Sequence, residues 1–301
     1  MAEELITTAA PPSGSPTPSG SAGRDLWRRF RRNKPALVGA AVVLALILIA
    51  TFAPVIAPYD PVNDFDYAAA LQGPSQKHWF GTDDLGRDVL SRVIYGARNS
   101  LSAGVVSVAL ALLIGMPVGL LAGYYRGFWD EVVIMRITDA FQAIPFLILA
   151  LAMAAVLGPG LWKAMLAIGI GLTPAFIRMV RAQVLAHRES DYVLAAKAMG
   201  ATDLRIMFRH LLPNIAGPII VQASLAVASA IIAEAGLSYL GLGIQPPDPA
   251  WGSSLRFAQG FLTIAPHMAY YPGAAIFVSV LSINLLGDGL RDMLDPRMKN
   301  G

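Results

Sequence analysis

The sequence predicts an all-α protein that crosses a lipid bilayer about six times, and three observations carry that prediction. Of its 301 residues, 55% are hydrophobic and only 14% charged, whereas a soluble domain carries roughly 25% charged residues because its surface must face water. Its apolar segments approach the ~20 residues that a helix rising 1.5 Å per residue needs to cross ~30 Å of hydrocarbon. Lysines and arginines gather in alternate connections between those segments, the pattern that keeps positive loops cytoplasmic. In lipid, only a helix satisfies the backbone polar groups of such a segment internally.

Taken in order, residues 1–33 read as a cytoplasmic tail. Positions 1–23 are rich in Pro, Ser, Gly and Thr, too poor in apolar side chains to build a core, and are predicted disordered. Arg24, Arg28, Arg29, Arg31, Arg32 and Lys34 then form a basic cluster. The apolar stretch 35–56 begins late for a signal peptide and lacks an Ala-x-Ala end, which predicts an uncleaved anchor helix over 34–57. Residues 58–98 form an extracytoplasmic loop. Near its end Val89, Val93 and Ala97 recur every four positions while Asp84, Arg87, Asp88, Arg92 and Arg98 supply charge. That pattern predicts an amphipathic helix lying at the membrane surface.

Five further spans are expected at 101–122, 132–157, 164–180, 215–235 and 271–290, within a core of residues 99–291 that precedes a cytoplasmic tail, 292–301. The fourth is short and carries Gly169, Gly171 and Pro174, so a re-entrant segment is its alternative. With the N-terminus inside, 17 of the 23 lysines and arginines fall on the cytoplasmic side; both termini are therefore expected there.

In the second span Ser107, Ala111, Gly115, Gly119 and Gly123 recur every four residues and so share one helical face. Small residues at that spacing let another backbone approach closely; spacing does not say whether the neighbour belongs to the same chain. Polar residues within or near spans usually face a bundle interior or water. Asp139, Gln142, Glu234, Asn284 and Asp288 are the candidates for interhelical bonding or for the lining of a path.

The most informative connection is the cytoplasmic loop 182–213, which is long for an idle link between membrane spans. Ser190 or Asp191 can cap a short helix, and Gly200 can end it in the left-handed conformation. Thr202 or Asp203 can cap a second helix, which Pro213 is expected to stop. Two ordered helices joined by a bend are predicted.

Here the chain resembles a known family. Ala195-Ala196-x-x-x-Gly200 followed by Leu212-Pro213 is similar to the coupling loop of ABC importer permeases. Leu194 replaces the usual Glu of that motif and His210 the common Ile. Asp191 with Tyr192 resembles the form found in the peptide-importer branch. The stretch from His78-Trp79-Phe80-Gly81-Thr82-Asp83 to Gly96-Ala97-Arg98 is similar to the C-type subunit of dipeptide and oligopeptide importers. So are Glu234-Ala235-Gly236-Leu237-Ser238-Tyr239-Leu240-Gly241-Leu242-Gly243 with Pro246-Pro247 and Trp251-Gly252, and Asn284-Leu285-Leu286-Gly287-Asp288-Gly289 through Asp295-Pro296-Arg297. Together these cover most of residues 78–297.

The resemblance implies a type I ABC importer permease fold in the bacterial inner membrane, with Asp191, Tyr192, Ala195, Ala196, Gly200, Ala201, Asp203 and Pro213 in an ATPase-coupling loop. It also implies a homologous second permease, two ATPase subunits that carry ATP and Mg, and an extracytoplasmic peptide-binding protein. This chain itself has no P-loop, no Gly-x-Ser-x-Gly elbow, no cysteine and no metal-spaced histidines, so no catalysis, cofactor or metal is expected in it. Its basic residues follow the loops rather than clustering with aromatics, which argues against nucleic acid as a partner. An ion-coupled secondary transporter, an intramembrane hydrolase and a non-transporting scaffold are the alternatives. The first would show internal repeats and charged or broken helices at mid-membrane.

Overall fold

The computed structural model describes Phe30, Arg31 and residues 33–294. The Pro/Ser/Gly-rich stretch, most of the basic cluster and the C-terminal residues from 295 lie outside the described residues. Within them the chain is helical, with one isolated β-bridge between Thr82 and Asp88.

Helix α1 (Lys34–Thr51) starts where the Asn33 side chain accepts a hydrogen bond from the Ala36 N–H, with a proline in its first turn. Helix α2 (Val89–Tyr125) is capped by Asp88, whose carboxylate accepts from the Ser91 N–H at 2.7 Å. Its 37 residues span about 55 Å, well beyond the hydrocarbon thickness. The separate surface helix expected before residue 99 therefore does not exist. The same helix runs on through the second span, because no glycine or proline interrupts positions 97–103. The charges expected in solvent are mostly inside: Arg87, Asp88 and Arg92 are all at most 5% exposed.

The third expected span is broken. A π-turn at Trp129–Ile134 leads into α3 (Met135–Gln142), and α4 (Phe146–Leu157) departs at 92° to it. Pro145 sits at the corner; it lacks an N–H and pushes Ile144 out of helical geometry. Helix α5 (Leu161–His187) is longer than expected and unbroken, which removes the re-entrant alternative. Gly169 and Gly171 are close-approach sites there: an added Cβ would meet Leu110 Cβ at 3.0 Å and the Phe146 ring at 3.1 Å, respectively.

Helix α6 (Asp191–Ala198) is followed by a bend. A short turn at Asp203–Arg205 and a π-segment at Ile206–Leu211 then merge into α7 (Leu212–Tyr239). Pro213 does not stop this helix. The π-segment closes with Leu212 N–H donating to Met207 C=O, and Pro213 falls in the first turn of the helix that follows, where a missing N–H is best tolerated. Helices α8 (Trp251–Ala258) and α9 (His267–Leu294) complete the described residues. Among the described residues, five helices are long and apolar enough to cross a membrane, six if the bent pair counts as one span.

The most extensive packing joins α2 to α5, and α9 takes α1 on one side and α7 on the other. The ridge of small residues faces α5 of the same chain. Ser107 Oγ donates to Met165 C=O at 3.1 Å. A Cβ on Gly115, Gly119 or Gly123 would lie 2.7 Å from Phe176 Cβ, Ile177 C=O or Val184 Cβ. The two helices thus meet backbone to backbone, and larger side chains would part them.

Candidate functional site

At one end of the bundle, residues 191–211 form a compact projection. Helix α6 begins with Ser190 in extended geometry, without a side-chain cap, and with Asp191 in its first turn, where a carboxylate meets the positive end of the helix dipole. It ends in a Schellman closure: Gly200 N–H donates to Lys197 C=O at 2.9 Å and Ala201 N–H to Ala196 C=O at 3.0 Å. Gly200 has φ +80°, a conformation that a residue with a Cβ adopts only under strain.

One face of the projection is fastened to the bundle. Val193, Ala196, Ile206, Met207 and Leu211 are buried against Leu120, Val180, Val184, Ile215 and Ile219. Asp203 is clamped by two phenols, with Tyr124 Oη donating to Oδ1 at 2.7 Å and Tyr125 Oη to Oδ2 at 3.2 Å. Lys197 Nζ lies 5.3 Å over the Tyr124 ring, within cation–π range. Nearby, Arg181 grips Asp130 through two parallel bonds of 2.7 and 2.6 Å, tying α5 to the π-turn before α3. The opposite face carries Leu194, Met199, Leu204 and Phe208, each at least half exposed, with Met199 at 80%. Asp191, Tyr192 and Ala195 are also exposed, Ala201 is half-buried, and Pro213 is exposed on the continuing helix.

This arrangement is a braced, lever-like projection with an exposed apolar surface, joined through its buried face and the Asp203 clamp to α2, α5 and α7.

The other end is a buried polar knot. Asp83 accepts from Arg87 Nε at 2.7 Å and faces Arg92 Nε at 3.6 Å. Asp88 receives Ser91 Oγ at 2.8 Å and pairs with His78 Nδ1 at 3.0 Å. Arg92 donates to Pro61 C=O, and His267 Nε2 lies 3.0 Å from Thr82 C=O, which docks the loop on α9. Trp251 Nε1 donates to Val93 C=O at 3.0 Å, and a Cβ on Gly96 would touch its ring at 2.9 Å.

The polar residues singled out in the spans do not converge. Asp139 pairs with Arg178 at the projection end, and Gln142 is the last residue of α3. Glu234 is fully buried near the other end, accepting from Ser238 Oγ at 2.6 Å. Asn284 is half-buried and Asp288 exposed on α9. No hydrogen bond or ion pair joins these positions to one another among the described residues.

Residues 115–300 match the family described as the inner membrane component of binding-protein-dependent transport systems, and residues 21–74 match the N-terminal membrane domain of oligopeptide transport permease C. The chain belongs to this family. The permease is 47% identical to the glutathione transport system permease protein GsiD of Pectobacterium atrosepticum over 277 residues, 92% of either chain. It is equally identical to the GsiD of Escherichia coli O157:H7 over 275 residues, 91% of this chain and 90% of that one. Two inward-facing crystal forms of the MetNI methionine ABC transporter share its fold: in one, 68% of this chain superposes on 96% of that chain with a TM-score of 0.57 at 22% identity. The protein is thus a multi-pass inner-membrane permease subunit of an ABC importer, a class that works with a partner permease, ATPase subunits and a binding protein. The ion-coupled alternative has no support.

Sequence reasoning missed the residues that brace the permease's projection, Tyr124, Tyr125, Asp130 and Arg181. Their partners lie 51 to 79 positions away, so no local spacing announces them.

Proposed function

We propose that this permease carries small peptides, glutathione among the candidates, into the cell, and that residues 191–213 are the surface on which an ATPase subunit docks. A second, homologous permease completes the path and an extracytoplasmic binding protein delivers the peptide. ATP and Mg belong to the ATPase subunits; this chain contributes no catalytic group. Both termini and the projection lie in the cytoplasm, in keeping with the gathering of arginine and lysine at that end.

The observation that carries this reading is the braced projection with exposed Leu194, Met199, Leu204 and Phe208 on its free face. Exposed apolar clusters of this kind mark protein interaction sites. Closure of the ATPases on nucleotide would displace the lever, and the helices fastened to it would rearrange as rigid bodies. Identity to glutathione permeases over nine-tenths of the chain favours a peptide cargo over an inorganic one.

Two variants test the coupling. Gly200→Val strains the bend at φ +80°, and Met199→Glu places a charge on the free face without touching the core. Both are expected to insert normally in the membrane yet to lose ATPase co-purification and peptide uptake. Normal values of both for either variant would remove the docking assignment.

A further inference from the structure

A cavity of about 710 Å³ opens between α5, α7 and α9 at the projection end, a volume in the usual range for small-molecule sites. It exists because α7 presents Gly217 and Pro218 there. A Cβ on Gly217 would meet nothing nearer than Leu294 at 3.6 Å, so the wall is set back.

The lining mixes apolar side chains with several polar ones. Helix α5 contributes Gln183 and His187, four residues apart and hence on one face. Helix α7 contributes Gln222, one turn beyond Pro218, and α9 contributes Arg291. None of these four side chains makes a hydrogen bond or ion pair within the described residues. Polar groups in spanning helices face a bundle interior or a water-filled space, and the lack of partners among the described residues favours the second. No carboxylate among the described residues lines the cavity. Asp292, beside Arg291 in sequence, is held by Asn33 Nδ2 at 3.0 Å, and Asp288 is not among the lining residues. The cavity therefore presents cationic and amide donors between low-dielectric walls, which focus the field on an anion.

We infer that this cavity is the cytoplasmic mouth of the transport path, and that Gln183, Gln222, His187 and Arg291 receive a substrate carboxylate there. This rests on the permease reading above and places the path on residues other than Asp139, Gln142, Glu234, Asn284 and Asp288.

The chain contains no cysteine, so Gln222→Cys introduces a single thiol into this subunit. In inside-out vesicles holding the complete transporter, with the other subunits free of reactive thiols, an anionic and a cationic methanethiosulfonate of similar size are compared. With each rate expressed relative to the same reagent's rate with a small free thiol, both are expected to react, the anionic one several-fold faster, and Arg291→Gln should bring the two relative rates together. Nucleotide trapping with vanadate should slow both. A thiol that is demonstrably present after denaturation but reacts with neither reagent would overturn the open mouth. Equal relative rates, or a cationic preference, before Arg291→Gln would overturn the carboxylate assignment. ATPase co-purification and ATP hydrolysis are measured on the same vesicles. A transporter that assembles and hydrolyses ATP yet leaves the thiol unreactive refutes the cavity alone, whereas loss of assembly in the Gly200 and Met199 tests concerns the docking surface alone.

Discussion

Gly119→Ala is the smallest perturbation that probes the seam between α2 and α5. The added Cβ would lie 2.7 Å from Ile177 C=O and 2.8 Å from Val180 Cβ, whereas apolar carbons rest at about 3.5–4.0 Å. Relief requires the helices to part locally by roughly 0.7–1 Å, and a gap of that size forfeits about a quarter to a half of each neighbouring dispersion contact. Overpacking of this kind costs about 1–3 kcal/mol, against which alanine regains about 0.5–1 kcal/mol of helix propensity over glycine. The net expectation is a destabilisation of up to about 2.5 kcal/mol, centred near about 1 kcal/mol.

Gly236→Ala in α7 is the matched control, because a Cβ there meets nothing within 4 Å and only the propensity gain remains. Thermal unfolding of the two purified variants in the same detergent should place Gly119→Ala below wild type and Gly236→Ala at or slightly above it. A Gly119→Ala protein as stable as Gly236→Ala would refute the argument that the ridge is closed by backbone contact.

Three further outcomes follow from the same geometry. Asp130→Asn strips the carboxylate from a pair in which Asp130 is 3% exposed at its side chain; it should destabilise by about 3 kcal/mol, while Asp139→Asn, at a pair half exposed on both sides, should change unfolding by less than about 1 kcal/mol. Gly86→Ala would drive a Cβ to 1.8 Å from Asp66 C=O at φ +75°, so it should abolish accumulation of folded protein in membranes, whereas Gly73→Ala, with open space around it, should express normally. Tyr124→Phe removes the shorter bond to Asp203; it should leave ATPase co-purification intact but lower uptake per ATP hydrolysed in reconstituted vesicles, and unchanged coupling would show that the clamp does not transmit force.

The sequence by itself determined the helical membrane class, the number and order of the apolar segments, and the left-handed turn at Gly200. These properties reside in short windows: hydrophobic length reports lipid, and a glycine after an amphipathic run reports a helix end. Pro145 was equally local, and its break of the third span could have been read from the chain. Pro213 offered the same local signal yet did not end its helix, because a π-segment precedes it and it falls in the first turn of α7, where a missing N–H is tolerated.

Only the tertiary structure decided where the charges near residue 88 lie. Alternation of Val89, Val93 and Ala97 with arginines suits a surface helix, but the loop folds over them and closes on His267, 185 positions from its partner Thr82. The destination of the ridge on α5, the Tyr124–Tyr125 clamp on Asp203 and the polar cavity between α5, α7 and α9 share that character. Each depends on which helices are neighbours, and burial is a property of the assembled neighbours rather than of the segment that carries the side chain.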